Sequence, residues 1–336
     1  MNMQATGQGS SATAGIHHVT AICSDAQRNV DFYCRILGLR LVKVTVNFDD
    51  PGSYHLYYGD ASGSPGSILT FFVWPGATPS ISPAAIAAVQ LAIPSDSTGF
   101  WLSRLEHSAI PCRRIQSPDG APAIQVTAPD GLHVELAGRD EIACPASASG
   151  DIPAATSICG IAGVVFASRR KAESAFLFSS ELGLRTLESP AGNLPTADIL
   201  LRTTAGTYPC VTVTDRSKAA TGNFAPGMIH HVAFRARDDA QQAAFRAGLI
   251  HARHNATQPL NRVYFRSIYF LEPGGAVCEI ATDGPGFAVD EPPEALGSRL
   301  CLPPWLEDQR PQILQRLPPL DLPFGTTGSG TALRRR

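Results

Sequence analysis

Gly227-Met228-Ile229-His230-His231-Val232-Ala233-Phe234 is the second use of a word met near the start of the chain, Gly15-Ile16-His17-His18-Val19-Thr20. Both read as strands, with β-branched and apolar residues interleaved behind an opening glycine. The shorter pattern Ile-x-x-Val occurs twice more without histidine, as Ile86-Ala87-Ala88-Val89 and Ile161-Ala162-Gly163-Val164. Longer words repeat as well. Leu37-Gly38-Leu39-Arg40 returns as Leu182-Gly183-Leu184-Arg185, 145 positions on, and Pro129-Asp130-Gly131 through Glu135 returns as Pro273-Gly274-Gly275 through Glu279, 144 positions on. Offsets that agree this closely imply a duplication of halves, each half holding two related units.

Each unit reads as β-α-β-β-β. In the first, a strand over 16–22 precedes a helix whose apolar residues Val30, Phe32, Tyr33, Ile36 and Leu37 fall mostly at helical spacing. Gly38 supplies the left-handed residue that stops it, and strands follow near 39–48, 54–58 and 68–74. The remaining helices are expected near 98–107, 170–182 and 239–251. One such sheet leaves its concave face open, so the units must pair into half-barrels. The fold class is therefore α+β, with four βαβββ modules in two half-barrel domains. By sequence these run over 15–140 and 157–282, with a disordered N-terminus (1–14), a linker (141–156) and a Pro-rich tail (283–336). The tail is expected to pack along the body through Trp305 and a short helix near 307–316, with its last dozen residues disordered.

Bulk properties narrow the function. A net charge of −2 gives no electrostatic case for nucleic acid or an anionic membrane. No apolar run reaches the roughly 18–20 residues of a membrane span, and the N-terminus lacks the pattern of a signal peptide. The eight cysteines are scattered without a Cys-x-x-Cys pair, which predicts free thiols and a cytoplasmic location.

The first and last strands of paired units bring side chains into a common cavity. The first-strand position holds His18, Ala88, Gly163 and His231 in units one to four; the last-strand position holds an apolar or hydroxyl residue near Thr70, then Glu135, one near Thr212, and Glu279. Pairing unit one with four collects His18, His231 and Glu279, and the second cavity then holds Glu135 alone. Two imidazoles and a carboxylate leave about three open positions on an octahedral ion, the arrangement of non-haem Fe(II); Mn(II) satisfies the same ligand type. A buried carboxylate at 279 needs a cation or a partner, and a salt bridge from Arg262 or Arg266 is the bland alternative. His55, His107, His133, His251 and His254 read as surface or core histidines.

These segments, together with Asn47-Phe48-Asp49-Asp50-Pro51-Gly52, Tyr54-His55-Leu56-Tyr57-Tyr58-Gly59-Asp60, Tyr264-Phe265-Arg266-Ser267-Ile268-Tyr269-Phe270 and Gly286-Phe287-Ala288-Val289-Asp290-Glu291, resemble the ring-cleaving dioxygenases of the vicinal oxygen chelate (glyoxalase) superfamily, in their hydroquinone-cleaving branch. The likeness covers about 15–320. It implies Fe(II) on His18, His231 and Glu279, and a surrounding set of His17, Thr20, His230, Arg262 and Tyr269. Strand alternation turns His17 and His230 away from the ligand face. Asn261 and Leu271 depart from the family pattern, which bears on the placement of Arg262.

The resemblance implies an Fe(II)-dependent dioxygenase that inserts O2 into a hydroquinone or catechol-type ring, with Tyr269 and His230 exchanging protons and Arg262 holding developing charge. Its partners are then a small aromatic substrate and O2, with a homo-oligomer left open. A glyoxalase-type lyase or isomerase would prefer Zn or Ni and typically four protein ligands, and a non-catalytic aromatic-binding protein would not need three correctly placed ligands.

Overall fold

The computed structural model describes residues 12–79, 84–144, 150–187, 198–215 and 223–323. Four copies of the predicted module are present. The first consists of β1 (Ile16–Cys23), a helix α1 (Ala26–Val30) that widens into a π turn over Asp31–Ile36, then β2 (Arg40–Asn47), β3 (Asp50–Gly59) and β4 (Ile68–Val73). Gly38 ends the helix with φ 73°, in the left-handed region. The second module is β5 (Ile86–Ile93), α2 (Thr98–His107), β6 (Cys112–Gln116), β7 (Pro122–Thr127) and β8 (His133–Gly138). The third is β9 (Gly160–Ser168), α3 (Lys171–Ser180), β10 (Arg185–Thr186), β11 (Ile199–Arg202) and β12 (Val211–Asp215). The fourth is β13 (Ile229–Ala236), α4 (Asp239–His251), β14 (Leu260–Asn261), β15 (Arg266–Leu271) and β16 (Val277–Thr282).

Two curled eight-stranded sheets result, ordered β14-β15-β16-β13-β1-β4-β3-β2 and β10-β11-β12-β9-β5-β8-β7-β6. Module one shares a sheet with module four, and module two with module three. Each sheet therefore takes one module from each sequential half, 15–140 and 157–282, so the halves divide the repeat and not the sheets. The antiparallel seam β1–β13 is the centre of the first sheet and β5–β9 of the second. One cluster of buried apolar side chains runs through both sheets, and Phe178 of α3 meets Phe234 of β13 at 5.6 Å. α4 shows how a helix is fixed to its sheet. Asp238 caps it by accepting from Gln241 N, Phe245 and Leu249 are buried one turn apart, and Gln242 Nε2 donates to the carbonyls of Arg266 and Ile280.

The entry to β13 is tied to the second sheet at Gly227. Its φ is +85°, and a Cβ there would lie 2.2 Å from the carbonyl oxygen of Asp130. Gly227→Ala is expected to destabilise the protein by about 2–4 kcal/mol, from left-handed strain plus displacement of the 130–131 turn. A denaturant midpoint within error of wild type would contradict that.

Several boundaries differ from expectation. Residues 12–14, read as part of a disordered N-terminus, are held: Thr13 is buried, its N–H donates to Leu182 O and its hydroxyl to Arg235 O. The tail does follow the body, as a 3-10 turn (Pro304–Gln309) and α5 (Arg310–Arg316), but Trp305 is not its anchor. Trp305 is 51% exposed and only edges onto Phe48, whereas Leu306, Ile313, Leu317 and Leu320 are buried. Leu300 adds a bridge to Val44 on the edge strand β2, which the tail thereby covers. Most of the linker segment 143–150 and all of the last dozen residues lie outside the described residues. Free thiols were expected throughout, but Cys144 and Cys159 form a disulfide, because the chain returns from β8 to the start of β9 with their Cα atoms 4.2 Å apart. Cys23, Cys34, Cys112, Cys210, Cys278 and Cys301 are free. Among the described residues no helix is long and apolar enough to cross a membrane.

Candidate metal centre

The site begins with an irregularity in the β1–β13 seam. Ile16 pairs with Phe234 and His18 with Ala233, so two steps on β1 match one on β13, and His17 is the extra residue of a bulge. Farther along, Thr20 pairs with His231 and Ala21 with Ile229, which makes His230 the extra residue on the other strand. The second sheet repeats both bulges at Ala87 and Ala162. The residue after isoleucine in Ile-x-x-Val is thus bulged in all four modules.

This corrects the alternation argument. A bulge breaks the period of two, and His17 and His230 are not carried away from the ligands. His17 Nδ1 lies 3.0 Å from His18 Nδ1, and His230 Nδ1 lies 2.8 Å from His231 Nδ1. Burial, then the neighbouring His18, lowers the His17 pKa to about 3; burial, then His231, does the same to His230, also to about 3. Both are neutral at ordinary pH and suited to accept a hydrogen bond. When His18 and His231 donate Nδ1–H to them, each ligand histidine presents its Nε2 lone pair on the other side.

Those lone pairs converge on Glu279. His18 Nε2 is 3.5 Å and His231 Nε2 3.0 Å from Glu279 Oε2, and all three side chains are buried. Glu279 Oε1 accepts from Ser267 Oγ at 2.5 Å, whereas Oε2 accepts no hydrogen bond of good geometry from the described residues. A buried carboxylate oxygen beside two imidazole nitrogens, with no hydrogen bond of good geometry to satisfy it, is the donor set of a divalent cation. The residues present fit a metal ion.

The bland alternative for Glu279 fails on geometry. Arg262 pairs with Asp49 at 3.3 Å and Arg266 with Asp239 at 2.8 Å; neither reaches the carboxylate. Arg262 stands over the Tyr269 ring at 5.5 Å and donates Nε–H to its hydroxyl at 3.3 Å. Tyr269 pairs with Glu279 across β15–β16 and turns its ring edge to His231 at 5.7 Å. Burial, then the charge of Glu279, raises its pKa beyond the ordinary phenol range, so it keeps its proton. Phe265 packs against His18 at 4.9 Å and His17 at 5.1 Å. Thr20, His18, His231, Glu279, Arg262 and Tyr269 line one hollow, and Thr20 is fully buried in its wall.

Sequence reasoning gave His55 no role beyond that of a surface or core histidine, and it lines the same hollow from β3. Its signal was the alternation Tyr54-His55-Leu56-Tyr57, which sets His55 and Tyr57 on one face of a strand. In the other sheet Ala88 and Gly163 stand where the ligand histidines would be, and Gln90 Nε2 donates to Glu135 at 2.9 Å. Among the described residues one further cluster has ligand spacing, Asp290, Glu291 and Cys301, and the ammonium of Lys43 fills it.

The chain is similar to known proteins over most of its length. Residues 15–136 match the model of the Glyoxalase/Bleomycin resistance protein/Dioxygenase superfamily. The chain is 37% identical over 311 residues to a Bacillus subtilis (strain 168) protein named "Putative ring-cleaving dioxygenase MhqO", covering 92% of this chain and 97% of that one. It is 28% identical over 318 residues to "Chlorohydroquinone/hydroquinone 1,2-dioxygenase" of Sphingobium indicum, covering 90% and 95%. A crystal structure of a "putative dioxygenase from Bacillus subtilis subsp. subtilis str. 168" superposes with TM-score 0.85 at 36% identity, over 92% of this chain and 98% of that one.

Proposed function

Because the chain belongs to the Glyoxalase/Bleomycin resistance protein/Dioxygenase superfamily, we propose that it is an Fe(II)-dependent ring-cleaving dioxygenase of hydroquinone-type rings, with the metal on His18, His231 and Glu279. The observation that carries the reading is the buried Glu279 Oε2, met by two imidazole nitrogens and by no hydrogen bond. Bound iron would supply Lewis acidity toward a phenolic oxygen and the electron transfer that lets O2 react with the ring. The chain's own residues do the rest. Phe265 and Phe72 give the hollow aromatic walls for a flat substrate. Tyr269, kept protonated by burial, offers an O–H to an oxygen of the ring. Arg262, anchored between Tyr269 and Asp49, offers positive charge to an ionised hydroxyl. His17 and His230 hold the tautomers of the ligand histidines.

The glyoxalase-type alternative wants a fourth protein ligand, and Thr70 stands at the position equivalent to Glu279 in module one. The name of the Sphingobium relative favours hydroquinones over catechols. The test is to load the protein anaerobically with Fe(II) or Mn(II), admit air, and follow O2 with an electrode over a panel of hydroquinones and catechols. Uptake of one O2 per ring, with an absorbing ring-opened product, is expected for iron and a hydroquinone. Full iron occupancy without O2 uptake on any ring would overturn the reading.

A further inference from the structure

We propose that Tyr57, His55 and Thr70 form a one-way chain of hydrogen bonds that aims the hydroxyl hydrogen of Thr20 into the metal pocket, as a fixed donor to an oxygen of the bound reactants. The role rests on the function proposed above; the direction of the chain does not.

The direction follows from counting hydrogens. Thr70 Oγ1 donates to Thr20 Oγ1 at 2.8 Å. A hydroxyl has one hydrogen, so in its contact with His55 Nε2 at 2.9 Å Thr70 must accept. A neutral imidazole carrying its proton on Nε2 must accept at Nδ1, and Tyr57 O–H stands 2.9 Å away to donate. Burial favours the neutral imidazole and the protonated phenol alike. Every donor therefore points the same way. At the end Thr20 Oγ1 has accepted, and no acceptor among the described residues takes its own hydrogen. Thr20, buried, shares the hollow with His18, His231 and Glu279.

The repeat supports the assignment. Tyr57 pairs with Thr70 as Tyr269 pairs with Glu279, and His55 precedes Tyr57 as Ser267 precedes Tyr269. Ser267 donates to Glu279 in module four, and His55 donates to Thr70 in module one. The chain occupies the copy of the carboxylate seat that carries no carboxylate. Thr20 is the group that touches the reactants; His55, Tyr57 and Thr70 are positioning residues.

Two measurements decide it. In the metal-free protein, 15N NMR of the imidazoles should find the His55 proton on Nε2; a proton on Nδ1 overturns the chain whatever the activity. In the iron-loaded enzyme, Thr70→Val should lower kcat roughly tenfold, the loss of one aligned hydrogen bond, with KM and iron content unchanged, and Thr70→Ser should restore it. Wild-type kcat in Thr70→Val overturns the role of the chain. An inactive wild type overturns the function proposed above instead, and the NMR still decides the direction. Should Thr70→Val not fold, Tyr57→Phe keeps the ring and removes the first donor. It should then shift the His55 tautomer and lower kcat, and no change in either sinks the proposal.

Discussion

His231→Ala is expected to leave a folded protein that binds iron at well under a tenth of wild-type occupancy and turns over at least about a thousandfold more slowly. The size of the effect follows from where the side chain stands. His231 is the nearer of the two imidazoles to Glu279, at 3.0 Å, and its Nδ1 is already committed to His230. No other described nitrogen or carboxylate is placed to substitute, since His230 turns its ring toward Phe224, stacked at 4.2 Å. Folding should survive, because β13 keeps its pairing with β1 and β16 and its apolar residues Val232 and Phe234 stay buried. Iron content by chelator assay and O2 uptake should fall together. The exposed His107→Ala serves as the control. Undiminished turnover in His231→Ala would remove the metal centre from its assigned place.

Much of this candidate centre is legible in the sequence. Four Ile-x-x-Val words and two long offsets gave the modules, and the demand for three ligands in one cavity chose the pairing of modules one and four, which the strand order shows. What could not be read was anything that depends on departure from regularity. His17 and His230 seemed turned away because a strand was assumed to alternate, and the bulge that defeats the assumption shows only in the register. His55 carried no repeat signal: its module-four equivalent is Ser267, a different residue type doing the same donating work. The Cys144–Cys159 bond joins thiols that have no motif in common, and only the return of the chain to β9 unites them. Trp305 has the hydrophobicity of an anchor, but the turn meets the body through its other face, with Leu306 buried and Trp305 outside.

The loss of Lys43 should be the most damaging to stability. It lies in β2 between Val42 and Val44, and its side chain is 0% exposed. Its ammonium lies 2.5 Å from Asp290 Oδ1 and 2.5 Å from Glu291 Oε2, and 5.1 Å above the ring of Tyr264. Tyr264 O–H donates to the other oxygen of Asp290 at 3.0 Å. Lys43→Ala leaves Glu291 buried beside a second carboxylate with no cation, a cost of about 3–5 kcal/mol. Lys43→Met with Glu291→Gln should recover most of it, because no uncompensated charge is then left inside. A denaturant series on the three proteins measures this, and equal midpoints for Lys43→Ala and wild type would refute it. The consequence reaches the site. Tyr264 N–H donates to Arg262 O at 2.8 Å across Val263, which sits at φ 69°, and Phe265 follows against His18. The carboxylates that Lys43 holds thus pin the loop that presents Arg262 and Phe265 to the hollow. The single variant, at temperatures where it remains folded, should raise KM by roughly tenfold, as loss of one positioned charged contact implies, while iron content stays at the wild-type level, because none of the three ligands is on that loop.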